Sequence, residues 1–128
     1  MEILNSILFS SIIAIAVVFG MVYVNKYKWM RYHEKAVGVT WANLSKELRI
    51  LIRSFMIIIG FSWCSIAIIT VCFYHLTKDI PISIIPIFLM NIGTFIGSFK
   101  LKFDTRGNPP VWLSLLLFII MIFLVLNF

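Results

Sequence analysis

The polar residues best placed to do chemistry in this chain stand close together in an otherwise apolar stretch, Asn91-Ile92-Gly93-Thr94-Phe95-Ile96-Gly97-Ser98. Gly93 and Gly97 form a small-xxx-small pair, the spacing that lets a second helix backbone approach closely. Asn91, Thr94 and Ser98 follow at three- and four-residue steps and so share one helical stripe. A side-chain amide in hydrocarbon is costly without a partner, so Asn91 must meet another helix, another subunit or water. Its chemistry is therefore an interhelical hydrogen bond or the lining of a polar path. Ser62 and Ser65 extend the polar set upstream, beside Gly60, and Ser6, Ser10 and Ala14 recur every four residues near the start. Gly60 and this last trio read as helix-packing positions.

Other chemistry is excluded more firmly. His33 and His75 fall on opposite sides of an apolar run, and no Ser/His/Asp or Cys/His set is present. P-loop, dinucleotide and His-Glu-x-x-His zinc signatures are missing. Cys64 and Cys72 are eight residues apart, some 80° around a helix at about 100° per residue, with no ligand spacing. No catalytic residue, metal site or cofactor is expected. The centres of the apolar runs also lack any Asp, Glu, Lys, Arg or His, the groups that carry coupling ions in proton-driven transporters. Small multidrug resistance transporters are similar in size, but they rely on a glutamate in the first span. The nearest acid here is Glu2, at the terminus.

The elements that would position these residues are four apolar runs, 3–24, 54–76, 80–99 and 111–128. The chain has 128 residues, 62% hydrophobic and 12% charged, too little polar surface for a water-facing fold. About 20 apolar residues carry a helix across a bilayer, and lipid forces the backbone to satisfy its own hydrogen bonds. The expected fold is all-α and integral to the membrane: one domain, an antiparallel bundle of four transmembrane helices. The first run reads as a retained span rather than a signal, because Met1-Glu2-Ile3-Leu4-Asn5 is not basic. The fourth run, nearly uniform in Leu, Ile and Phe, should be the most lipid-exposed. Pro86 withholds a donor from the carbonyl of Ile82 and should kink the third helix.

Charge orients the bundle. Lys26, Lys28, Arg31, Lys35, Lys46, Arg49 and Arg53 lie in the first connection, and Lys100, Lys102 and Arg106 in the third. Ten of the eleven basic residues thus face one side, which marks it as cytoplasmic and puts both termini outside. Net charge +6 is then accounted for by topology and anionic headgroups, with no nucleic-acid partner implied. Trp29, Trp41 and Trp112 join Lys26, Lys28, Arg31, Lys100, Lys102 and Arg106 as anchors at the interface. Within the first connection, Trp41, Leu44, Leu48, Leu51 and Phe55 recur at helical spacing. They predict a cytoplasmic amphipathic helix over about 41–53, capped by Thr40 and running into the second span.

The function expected is binding rather than catalysis. The chain reads as a small inner-membrane protein of a bacterium that acts by helix–helix contact with another membrane protein. Immunity, exclusion and accessory-subunit roles all fit that description. A homo-oligomeric channel or carrier for a neutral solute or simple ion is the first alternative, and a holin-like or abortive-infection lesion protein the second.

Overall fold

The computed structural model describes residues 2–127, so Phe128, the last residue of the fourth run, lies outside the described residues. The chain is all-helical, with six helices and no strand among the described residues. Helix α1 spans Glu2–Asn25, α2 Arg31–Val37, α3 Lys46–Thr77, α4 Ile80–Ser83, α5 Ile85–Asp104 and α6 Val111–Leu126. At 1.5 Å per residue, α1 is about 36 Å long and α3 about 48 Å. These two are long and apolar enough to cross a membrane.

The third and fourth apolar runs do not each form an uninterrupted apolar helix of spanning length. The 80–99 run is divided at Ile84 into α4 and α5. Pro86 has no N–H to give the carbonyl of Ile82, and the ladder restarts with Phe88 N–H on Ile84 O at 2.9 Å. Helix α5 then extends past its apolar part to Lys100, Lys102 and Asp104, and α6 has 16 residues. Lys78 adopts φ 56° to end α3, its N–H on Tyr74 O, and Asp79 Oδ1 accepts from Ile82 N–H at 3.0 Å to begin α4.

Two differences concern the 25–53 connection. Trp41–Asn43 is a single 3₁₀ turn, and Leu44 leaves it extended, with φ −76° and ψ 145°. The α-helix can therefore start only after that residue. Ser45 rather than Thr40 is its cap, with Ser45 Oγ accepting from Leu48 N–H at 3.2 Å. From Lys46 the helix runs unbroken to Thr77, so the amphipathic stretch and the second apolar run form one rod. Helix α2, which the sequence pattern did not announce, ends at Gly38 with φ 73°, the left-handed conformation glycine tolerates.

Packing is dominated by α1 against α3. Phe9, Ile12 and Ala16 of α1 meet Trp63 and Ala67 of α3. Ile80, Ile84 and Ile87 add to this core from α4 and α5, and Leu117, Met121 and Leu124 from α6. Asn5 Nδ2 donates to Asn127 O at 3.3 Å, which brings the start of α1 and the end of α6 together. At the opposite end Tyr23, Trp29, Trp41, Leu44 and Met56 form a second apolar cluster that folds the long connection onto α1 and α3. The outward faces remain apolar. Val18, Ile58, Phe61, Ile68 and Ile119 are all about 60% exposed. These exposed apolar positions are spread over α1, α3 and α6.

Candidate functional site

Helix α5 leaves its two glycines without close neighbours. Gly93 and Gly97 are exposed, and a Cβ built on either would meet nothing within 4 Å. The close helix crossing within the chain lies elsewhere, at Gly20 and Gly60. A Cβ on Gly60 would stand 2.6 Å from Gly20 O, and one on Gly20 would stand 2.7 Å from Gly60 O and 2.6 Å from Cys64 Sγ. Gly60 is thus set against α1. Gly20 follows Ala16 at four-residue spacing, a small-xxx-small signal on α1 that sequence reasoning missed.

The glycine face of α5 borders a cleft of about 440 Å³, together with Thr94 and Ser98. Ile59 and Trp63 of α3 form the facing wall, and Phe19 and Tyr23 of α1 close one side. Tyr32 and His33 of α2 cover the end nearest the long connection. Tyr23 Oη and Tyr32 Oη share a hydrogen bond of 2.5 Å. Burial, and then the neighbouring Tyr23 hydroxyl, push the Tyr32 hydroxyl far above its ordinary range, so it stays protonated. His33 Nδ1 accepts from Met30 N–H at 3.3 Å, and burial lowers its pKa below the ordinary 6.5. Both facts favour neutral imidazole. Trp63 is 2% exposed, and its Nε1–H finds no acceptor among the described residues. The cleft is therefore a neutral, mostly apolar recess with a few hydroxyls, suited to receiving side chains and short of any charged group for catalysis.

No family, no curated protein and no solved structure matches this chain. Function must be argued from the geometry.

The remaining polar residues do not converge on the cleft. Asn91 is fully buried, and its Nδ2 donates to Ser114 O of α6 at 3.0 Å, an interhelical hydrogen bond. Its Oδ1 has no partner among the described residues. Thr94 Oγ1 bonds its own helix at Met90 O, as Ser62 Oγ does at Ile58 O. Ser65 is exposed, two residues beyond Trp63 and so about 200° around α3 from the cleft wall. Ser6, Ser10 and Ala14 are exposed along α1 and border a shallow groove of that helix alone. The small-residue stripe of α1 thus faces outward, while that of α5 borders the cleft.

Among the aromatic positions, Trp29 and Trp41 are buried against each other, ring centroids 5.9 Å apart and edge to face, while Trp112 is 65% exposed. Lys26, Lys28, Arg31, Lys100, Lys102 and Arg106 are all exposed. Arg53 is half-buried instead. Its guanidinium donates to Tyr23 O at 3.1 Å and to Val24 O, capping the last carbonyls of α1.

Proposed function

We propose that this chain is a small integral membrane protein that acts by receiving a transmembrane helix of another membrane protein on the open glycine face of α5, at the cleft it borders with α3. The observation that carries this reading is the open Gly93–Gly97 stripe. A pair of glycines at this spacing invites close backbone approach, and no helix of the chain itself takes the place. Thr94 and Ser98 flank the stripe and offer the short hydroxyls that cross such interfaces. The adjoining cleft, with Trp63 as its wall, gives room for a large apolar side chain of the incoming helix.

In this reading α1, α3, α4 with α5, and α6 all sit within the bilayer as four passes. The reach of the α4–α5 and α6 passes is completed by their flanking turns. The basic connections face the cytoplasm, and both ends of the chain face outward. The length of α1 and α3 and the apolar outer surface support insertion. The protein is then a modulator of the immunity, exclusion or accessory-subunit kind, with no reaction of its own.

The test is co-purification from the native host with Gly93→Ile and Gly97→Ile. A Cβ at either position meets nothing within 4 Å, so the substitutions add bulk where a docking helix would approach, and an unchanged melting temperature of each variant shows that the fold is kept. Loss of a co-purifying membrane protein in both variants is the expected result. A partner retained by both, or a wild-type chain that comes away only with copies of itself, would reject the reading.

A further inference from the structure

A second feature stands apart from the α5 face and does not depend on it. Lys46, Arg49 and Arg53 follow at three- and four-residue spacing, so the first two turns of α3 carry all three cations on one side. They border a pocket of about 510 Å³, whose other walls include Tyr27, Trp41 and Ile50. No carboxylate lines it. Glu34 does not line it, and its Oε1 accepts from Trp41 N–H at 3.1 Å. Glu47 is fully exposed at the helix start, its carboxyl held below the usual range chiefly by the backbone and by Ser45, with Arg49 a lesser influence.

We propose that this pocket binds a phosphate-bearing anion, with the headgroup of an acidic phospholipid as its membrane source. Arg49 Nε is buried and has no acceptor among the described residues. The Arg49 side chain also borders the pocket, and phosphate is the anion that a planar guanidinium pairs with in two-pronged fashion. Arg53 is held against the last carbonyls of α1, which fixes the pocket at the level where that apolar helix ends. That is the depth of a headgroup beside a span. Ile50, 58% exposed, and the ring of Tyr27 give the pocket an apolar rim suited to the glycerol portion of a lipid. Diffuse attraction to an anionic surface would draw equally on Lys100 and Lys102, whereas a pocket distinguishes the two clusters.

The decisive experiment uses the full chain, delipidated in neutral detergent and titrated with phosphatidylglycerol, phosphatidylcholine or inorganic phosphate. Bound lipid is counted by native mass spectrometry and the melting temperature is followed in parallel. Phosphatidylglycerol should bind and raise the melting temperature more than phosphatidylcholine. Lys46→Gln with Arg49→Gln should weaken that binding about tenfold or more. Lys100→Gln with Lys102→Gln, the same loss of charge, should change it by less than about twofold. Lys46 is exposed, so Lys46→Gln alone keeps the fold and should still weaken binding if the double variant loses helicity. A pocket-dependent response to inorganic phosphate equal to that of the lipid would assign the site to free phosphate. Equal weakening in both double variants, or no preference for any phosphate-bearing anion, would overturn the proposal.

Discussion

Gly20 and Gly60 touch across the α1–α3 crossing, each placed so that a methyl group on one would collide with the carbonyl oxygen of the other, at 2.6–2.7 Å. Backbone as well as side-chain atoms lie in the way, so a rotamer change alone cannot relieve the collision. Gly60→Ala should therefore destabilise the protein by about 1–3 kcal/mol, the usual cost of overpacking. Gly97→Ala meets open space and should instead gain about 0.5–1 kcal/mol from helix propensity. Thermal unfolding in mild detergent separates the two. A Gly60→Ala protein as stable as wild type would mean that α1 and α3 do not cross there.

Arg53 ties the end of α1 to the start of α3 through the carbonyls of Tyr23 and Val24. Those carbonyls have no helical donor of their own, and hydrogen bonds to a charged group are worth about 1.5–3 kcal/mol. Arg53→Gln should cost about that much and loosen the long connection. Lys in its place keeps the charge but loses the two-pronged reach, and should restore less than half. Limited proteolysis between α1 and α3 would read this directly. Cleavage rates equal to wild type in Arg53→Gln would show that the contact does not hold the connection.

His33 makes the same connection sensitive to acid. Its Nδ1 must be unprotonated to accept from Met30 N–H, and burial lowers its pKa below the ordinary 6.5. In the unfolded chain the imidazole takes its proton first as pH falls. The folded state therefore binds fewer protons in that window, and stability rises with pH there. The contribution is complete above about pH 6.5 and is lost as pH drops toward the folded value. Trp29 lies 6.2 Å from His33, ring centre to ring centre, so tryptophan emission should change across the same window. His33→Gln should remove the pH dependence. A wild-type melting temperature that stays flat from pH 7.5 to about 5 would contradict the assignment.

These contacts mark the limit of what sequence pattern alone conveys. The all-helical character and the two long apolar helices α1 and α3 were legible because helix length and hydropathy depend on local composition. The break beside Pro86 was legible because a missing donor is a property of one residue. The facing of small residues was not. Gly60 packs on Gly20 while Gly93 and Gly97 stand free, although the latter pair has the stronger local spacing. Which stripe meets which helix depends on how α1 and α3 are rotated, a property of the whole chain. The burial of Trp29 against Trp41 is hidden for the same reason. Each looks like a boundary tryptophan in its own stretch, and only the returning connection brings them together.

Asn91 is a buried amide satisfied on one side only. Its Nδ2 is satisfied by Ser114 O, but Oδ1 is buried with no donor among the described residues. Replacing it with Leu removes one hydrogen bond and one unsatisfied acceptor together, so the two effects offset and stability should change by about 1 kcal/mol or less. Asn91→Asp keeps the size but puts a carboxyl where the amide donated, facing a carbonyl. That variant should be far less stable, by about 3 kcal/mol or more if the carboxyl ionises. Chemical unfolding of the isolated chain gives both values. The same pair, compared in native membranes, adds a second reading. If Asn91→Leu is neutral in isolation yet lowers the level of the protein in its host, the buried α5–α6 contact matters to insertion or assembly there rather than to the stability of the isolated chain. Equal behaviour in both settings would confine Asn91 to the stability of the isolated chain and leave the α5 glycines to carry any association alone.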